Sequence, residues 1–376
     1  MDIKIEKPLF LKNKSRTFSQ GINSAEMIGE THPFISTTRL QNIRGKVRDK
    51  NKIPRGAKFI DTFDSELKEL FKIRYPKFKN NKEKLKEFLK KSQKIKSVYV
   101  YFPWNNNVAR ILPENLFFEI RTARNKNLIT KEDQEKFYNA KIGIAGLSIG
   151  SNILWPLLIS GGGKFLRIAD PDTIELTNLN RLFYPISGIG ENKTISALRK
   201  AYELNPFIKI DPWINGVKLN NLEKFIKGTP KLDILIDELD DLEIKIQMRI
   251  LAKKHKIPVL MATNLGEKII IDIERFDIEP KRDIFHGLLG KFDIKEFKNL
   301  APHSPKWIEA TRKILNKELF SQNLTASLKE IGQTLAGAPQ LGITSLISSS
   351  IIALTIAKIA SSKKIKSGRY VIDLKI

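Results

Sequence analysis

The chain has no cysteine among its 376 residues. That excludes disulfides, thiolate-ligated zinc and any cysteine nucleophile or thioester. A reducing, cytoplasmic setting is the expectation that follows. Long hydrophobic runs are also scarce. The opening "MDIKIEKPLFLKNKSRTF" has no long apolar core before a small-residue cleavage site, so no signal peptide is read there. Only "LGITSLISSSIIALTIAKIA" (341–360) approaches membrane length, at ~20 residues. Its frequent Ser and Thr, at the end of a chain with α/β patterning, make it a buried core helix, and no membrane partner is expected. No internal repeat is detected.

Basic charge is abundant: 66 Lys and Arg stand against 41 Asp and Glu, a net +25. One reading is a surface for a polyanion such as tRNA. The other is a composition rich in Lys, Ile and Asn throughout. In "FKIRYPKFKNNKEKLKEFLKKSQKIK" (71–96) Leu and Phe recur at helical spacing, so the lysines read first as the wet faces of helices.

A chain this long, 41% hydrophobic, can bury one large core and carry a small second domain. Residues 1–110 are expected to form a basic, partly helical N-terminal extension, beginning as an extended arm to about residue 60. Helices are predicted at 64–75 and 81–93 and a strand at 97–104. From residue 130 the pattern becomes regular. "TKEDQEKFYNA" opens with a Thr N-cap and an acidic first turn. A strand (141–145), a glycine loop, a helix to 160, "GGG" and a strand (164–170) follow. The runs 232–237 and 258–263 are further buried-strand candidates. Residues 111–376 are therefore expected to form an α/β domain, a Rossmann-like, mainly parallel sheet flanked by helices.

The loop in "KIGIAGLSIGSN" (141–152) admits two chemistries. G-x-S-x-G matches a hydrolase nucleophile elbow, with Ser148 as nucleophile and Asp237, His286 and His303 following in the right order. That fold needs several strands before the elbow and an oxyanion segment, and neither precedes residue 141. A Rossmann turn instead requires an acidic residue at the end of the next strand, ~20 residues on. Asp170 stands there, and the Rossmann reading is preferred.

The following stretch is more specific. "DPDTIELTNLNRLFY" (170–184) resembles the D-x-D-x-[IV]-x-x-[ST]-N-L-x-R signature of the ThiF/MoeB adenylyltransferases, relatives of the ubiquitin-activating enzymes. "RTARN" (121–125) resembles that family's arginine-rich lead-in, "GENK" (190–193) its G-x-x-K element, and "DILIDELDD" (233–241) its acidic strand end. The terminal helix after "GAPQLG" resembles the helix that closes the domain. The resemblance runs from about residue 115 to the C-terminus and is to a cysteine-less bacterial branch.

Several expectations come with that resemblance. A substrate carboxylate attacks the α-phosphate of ATP, giving an acyl-adenylate and pyrophosphate. The nucleophile is already ionised, so the site must supply fixed positive charge and a metal. Arg181 and Lys193 would contact the phosphates and Asp240 would hold Mg²⁺. Asn178 would orient the phosphate-binding segment. Asp170 would bind the ribose, with Asp172 bracing the turn. Gly146 and Gly150 would let backbone approach the nucleotide. Arg124 matches an arginine that serves a partner subunit's site, so a homodimer is expected. The plainer alternatives are a helix cap for Asp240 or Asp241, a closed turn for Asn178 and a packed histidine for His286.

The sequence also departs from the family. The loop G-L-S-I-G has Ser148 in place of a glycine and is one residue short, and Asp241 stands where the family has Asn. The family's C-x-x-C pairs are absent, so no zinc is expected. Without the catalytic cysteine, the reaction should stop at adenylation or pass the acyl group to an external nucleophile. The candidate acceptors are the C-terminal carboxylate of a small ubiquitin-like carrier or peptide, and the threonylcarbamoyl group on tRNA. A non-catalytic nucleotide-binding scaffold is the reading from another class.

Overall fold

A computed structural model describes residues 6–11, 54–298, 300 and 304–374. Most of the expected N-terminal arm, and His303, lie outside them. The chain forms two compact units, Met1–Arg124 and Asn125–Ile376.

Among the described residues the first unit pairs a four-stranded sheet with three helices. Strands β1 (Leu9–Leu11), β2 (Lys58–Asp61), β3 (Val98–Phe102) and β4 (Asn107–Ile111) lie in the order β1-β3-β4-β2. The β3–β4 turn holds Asn106 at φ 52°, a left-handed position that Asn tolerates. Helix α1 (Phe63–Arg74) has Asp64 and Glu66 in its first turn and Lys72 and Arg74 in its last, which complements the helix dipole. Helix α2 (Lys82–Ser92) is capped by Asn81, whose side chain accepts from Lys84 N at 2.9 Å. Helix α3 (Glu114–Thr122) completes the set. Phe63, Leu67 and Leu70 of α1 bury themselves with Leu112 and Leu116, and Phe88 and Leu89 of α2 pack on this cluster.

The second unit is built on a seven-stranded sheet. The strands are β5 (Lys141–Ala145), β6 (Phe165–Ala169), β7 (Lys209–Trp213), β8 (Ile234–Asp237), β9 (Val259–Leu265), β10 (Lys268–Glu274) and β11 (Gly368–Asp373). Their order is β11-β10-β9-β8-β5-β6-β7. The strands from β7 to β9 are parallel, while β10 and β11 add antiparallel to that edge. The helices are α4 (Lys131–Asn139), α5 (Ile149–Ile159), α6 (Lys193–Leu204), α7 (Leu222–Lys227), α8 (Leu242–His255), α9 (Pro305–Leu315), α10 (Gln322–Lys329) and α11 (Gly342–Ala360). Thr130 caps α4 as its sequence implies, accepting from Asp133 N at 3.1 Å. Ile142, Gly143, Ile144 and Ala145 of β5 are all buried, as a central strand covered on both faces requires.

Helix α11 packs on α5, β9 and β10. The N-terminal half of its inner face is small and polar, with Thr344, Ser345, Ser348 and Ser349 buried, and Ile352, Ile356 and Ile359 continue it as an apolar face. The Ser348 and Ser349 hydroxyls donate back to the Ser345 carbonyl at 3.1 and 2.7 Å, which lets them sit against the sheet without orphaned donors. Its outer face leaves Ile343, Leu346 and Leu354 exposed.

The sheet order reverses between β5 and β8, so a crevice opens beyond their C-terminal ends. Beside it lies a largely buried charge network. Asp237, which ends β8, accepts from Lys245 Nζ at 3.2 Å and from Arg249. Arg249 Nε reaches Glu274 Oε2 at 2.6 Å, and its guanidinium covers the Phe285 ring at 3.9 Å. Burial by itself would raise the Asp237 carboxyl, but Lys245 and Arg249 outweigh it and hold that carboxyl below the usual carboxylate range. Removing one member of such a network strands a charge. Arg249→Met should lower stability by about 3–5 kcal/mol, read from the urea midpoint. An unchanged midpoint would show that the network contributes nothing net.

Candidate functional site

The glycine loop closes directly on the crevice. Gly146 takes φ 89°, and a Cβ there would stand 2.2 Å from the Glu238 carbonyl oxygen. A Cβ on Gly150 would stand 2.7 Å from Ile144 Cγ2, because α5 lies tight on β5. Both glycines are therefore required by the protein's own packing, before any ligand is considered. Leu147 N donates to Asp170 Oδ2 at 2.6 Å, and Asp172 N donates to Oδ1 at 2.8 Å.

Asp170 is 4% exposed. Desolvation raises its carboxyl, opposed by Lys193 and these two N–H groups. Each oxygen keeps a lone pair beyond the bonds to its own loop. The bracing expected of Asp172 comes from its backbone N–H, while its side chain binds Lys193 Nζ at 3.0 Å. Lys193 is itself buried at the start of α6, with Nζ 3.5 Å from Ser148 Oγ and 3.9 Å from Asp170 Oδ1. Leu147, Ser148, Asp170, Asp172 and Lys193 thus form one bonded group.

Asn178 closes its own turn, as the plainer reading has it: Oδ1 accepts from Glu175 N at 3.1 Å. Its carbonyl accepts from Arg181 N at 3.1 Å, so the closed turn also sets where Arg181 stands. Arg181 Nη1 donates to Thr177 O at 3.0 Å and Asn180 Oδ1 at 2.9 Å, but its buried Nε has no partner. Asp240 is exposed and makes no hydrogen bond or ion pair among the described residues. Asp241 is the cap of α8, accepting from Ile244 N at 2.9 Å. Arg124 is exposed in the short turn Ala123–Asn125, at the last position of the first unit.

Three contributors escaped the sequence reading. Asn152 on α5 donates to Arg181 O at 2.6 Å and to Ser345 Oγ at 2.8 Å, and it accepts from Phe183 N at 3.1 Å. It ties the Arg181 segment to α5 and α11. Asn192 caps α6 through Thr194 N at 3.0 Å, and its amide nitrogen reaches the carbonyls of Asp170, Pro171 and Asp172 at 3.2–3.3 Å. An Asn just before a helical run was the available signal. The third is Glu238, whose Oε1 accepts from Ala262 N at 2.9 Å.

Among the described residues the geometry does not assemble the hydrolase alternative. His286 is packed, as expected: Nδ1 accepts from Arg282 Nη2 at 2.9 Å, and Nε2 donates to Asp272 Oδ1 at 2.9 Å. Asp237 is committed to Lys245 and Arg249. Ser148 has Lys193 beside it, and His286 has no free nitrogen with which to serve as its base.

Burial pushes the Glu238 carboxyl up to about 8. A carboxyl raised in the folded state keeps a proton that the unfolded chain has lost, so folding loses stability as pH climbs toward that value. Glu238→Gln should remove this component. The variant's melting temperature should gain on wild type between pH 5 and pH 9, in differential scanning fluorimetry without ligand (~4 units spanning the shift). Parallel pH profiles would refute the burial argument.

Residues 122–371 match the model of the ThiF family. An uncharacterized protein of Mycobacterium tuberculosis is 36% identical over 281 residues, 73% of this chain and 38% of that one. The molybdopterin-synthase adenylyltransferase of Haemophilus influenzae is 29% identical over 174 residues, 45% of this chain and 69% of that protein. The tRNA threonylcarbamoyladenosine dehydratase 2 of Saccharomyces cerevisiae is 27% identical over 146 residues, covering 38% of this chain and 32% of its own. The chain therefore spans well under two-thirds of the first and third of these relatives. Among solved structures, the crystal structure of PaaA has a TM-score of 0.48 at 21% identity, over 69% of this chain and 77% of that one. With the family match covering most of the chain, the chain belongs to the ThiF family.

Proposed function

We propose that this chain adenylates a substrate carboxylate with ATP. A carboxylate oxygen bonds to the α-phosphorus, the bond from that phosphorus to the pyrophosphate oxygen breaks, and pyrophosphate leaves. The observation that carries the reading is cationic capacity at the crevice that is fixed in place and, at Arg181, partly unpartnered. Arg181 keeps a buried Nε with no acceptor, and Lys193 is held buried beside the loop backbone. Such fixed donors stabilise phosphate charge without reorganising during the reaction. A buried donor left orphaned is costly, and an anionic ligand would relieve it.

Mg²⁺ would neutralise charge on the phosphate oxygens, and a hard carboxylate is its appropriate ligand. Asp240 fits that role, because it is exposed and uncommitted next to the strand end that abuts Gly146. Asp170 and Asp172 hold the loop, with Asp170 offered to the ribose. The absence of cysteine confines the product to the acyl-adenylate or its transfer to an external nucleophile. We favour the C-terminal carboxylate of a small carrier or peptide as acceptor. The tRNA-bound threonylcarbamoyl carboxylate is the rival, supported by the similarity to the yeast dehydratase.

A homodimer accompanies this proposal, with Arg124 serving the other copy's site. The apolar outer face of α11, with Ile343, Leu346 and Leu354 exposed, supports it, since two copies would cover that face symmetrically. Light scattering should give twice the chain mass, and Leu346→Glu should reduce it to one. A fully active monomer would remove the shared site.

ATP–pyrophosphate exchange with candidate acceptors tests the chemistry. Asp240→Asn and Arg181→Ala should each lower exchange by about a hundredfold or more, the loss of one preorganised contact at ~3–4 kcal/mol. Ser148→Ala should cost little, because the loop acts through its backbone. Loss of activity in Ser148→Ala with Asp240→Asn unharmed would reverse the assignment.

A further inference from the structure

Outside the candidate site, the strongest unexplained feature is the charge of the α1–α2 hairpin. Residues 71–96 hold eleven Lys and Arg against two Glu. The other described residues from 54 to 124 hold six of each sign. Residues 1–53 hold eleven Lys and Arg against five Asp and Glu, so the net charge is concentrated in the hairpin, nine over 26 residues, beyond what a uniform lysine-rich composition produces. All eleven cationic side chains are exposed. Arg74 pairs with Glu119 at 2.7 Å and Lys91 with Glu87 at 2.6 Å. Among the described residues the other nine have no ion pair. Keeping so many like charges together costs self-repulsion, and a polyanion would relieve it.

Two observations narrow the polyanion. The apolar side of α2 is already used, since Phe88 and Leu89 pack on the core cluster with α1. The hairpin thus has no apolar face to insert into lipid. At its apex, inside the basic segment, two aromatic residues stay exposed: Tyr75 at 47% and Phe78 at 39%. Lys84 Nζ sits 3.2 Å from the Phe78 ring centroid. An acidic polypeptide needs only the cations, whereas a strand of bases also uses flat rings. Lys82, Lys86 and Lys90 recur every fourth residue, so they line one side of α2 at a rise of about 6 Å per step.

We propose that the α1–α2 hairpin binds single-stranded nucleic acid, with the Lys82–Lys86–Lys90 stripe following the phosphates and Phe78 and Tyr75 offering stacking faces. This site is separate from the adenylation crevice and stands whether or not that chemistry is correct.

The test uses the full chain and a labelled oligouridine of about 20 nucleotides, read by fluorescence anisotropy across salt. Each phosphate contact contributes about 0.7 to the slope of log affinity against log salt for a single strand. Changing Lys82, Lys86 and Lys90 together to Gln should flatten that slope by about 2 and weaken binding about tenfold or more. A second triple, Lys77, Lys79 and Lys94 to Gln, should flatten it similarly, and circular dichroism checks both folds. Phe78→Ala should weaken binding about fivefold or more with the slope unchanged. Failure to bind the oligonucleotide, or a slope that both triples leave untouched, would overturn the proposal. Equal affinity for polyglutamate or for phosphatidylserine vesicles would also overturn it, in favour of an acidic protein or a membrane surface. Pyrophosphate exchange by either triple should match wild type, which keeps this test distinct from that of the crevice.

Discussion

The geometry of the crevice depends on the Asp170 carboxylate. It receives the Leu147 and Asp172 backbone N–H groups on separate oxygens, at 2.6 and 2.8 Å, with Lys193 at 3.9 Å. Hydrogen bonds to a charged group contribute about 1.5–3 kcal/mol each, more than a neutral pair. Here they must also offset the desolvation that raises this carboxyl. The result is a loop whose backbone direction is set from the neighbouring strand. Gly146 can then pass against the Glu238 carbonyl, and α5 can begin immediately beyond it. Asn192 secures the same turn from the α6 side through the Asp170 and Asp172 backbone carbonyls, so three elements meet around one residue.

Two aspartates at the end of β8 have opposite fates. Asp237 is 0% exposed and held by Lys245 and Arg249, which is the arrangement of a structural charge. Asp240, three residues on, is exposed and uncommitted. A buried ion pair is paid for in desolvation and gains only through complete pairing. The metal-binding role proposed for Asp240 needs the reverse, with its lone pairs free. Between them Glu238 turns its carboxyl to the Ala262 N–H at 2.9 Å and so links β8 to the longer β9. The strand end thereby separates holding the sheet together from facing the crevice.

Net charge alone was ambiguous, because +25 spread over a lysine-rich chain fits solvated helices as well as a binding surface. Position resolved part of that ambiguity. Among the described residues of the first unit the surplus gathers on one hairpin, where Phe88 and Leu89 are turned to the core and Tyr75 and Phe78 stay exposed. In the crevice the relevant cations are few and are set by hydrogen bonding: Lys193 by Asp172 and Ser148, and Arg181 by Thr177 and Asn180.

The sequence by itself determined the local features. Alternating apolar runs and capped helices placed β5, β6, β8 and β9 and the helices α1, α2, α4 and α11, because side-chain periodicity and N-caps act within a few residues. Motif order brought Asp170, Asn178, Arg181 and Lys193 into consideration for the same reason. What only the tertiary structure decided involves partners far apart in sequence. Arg249 meets Glu274, Asn152 meets Ser345, and β10 and β11 extend the parallel sheet with antiparallel neighbours. No periodicity encodes which apolar run lies at an edge, or which carboxylate will be paired. Asp237, Glu238 and Asp240 are equivalent acids in the sequence. Burial and the cations that folding delivers made one a structural charge, one a raised carboxyl and one free at the crevice.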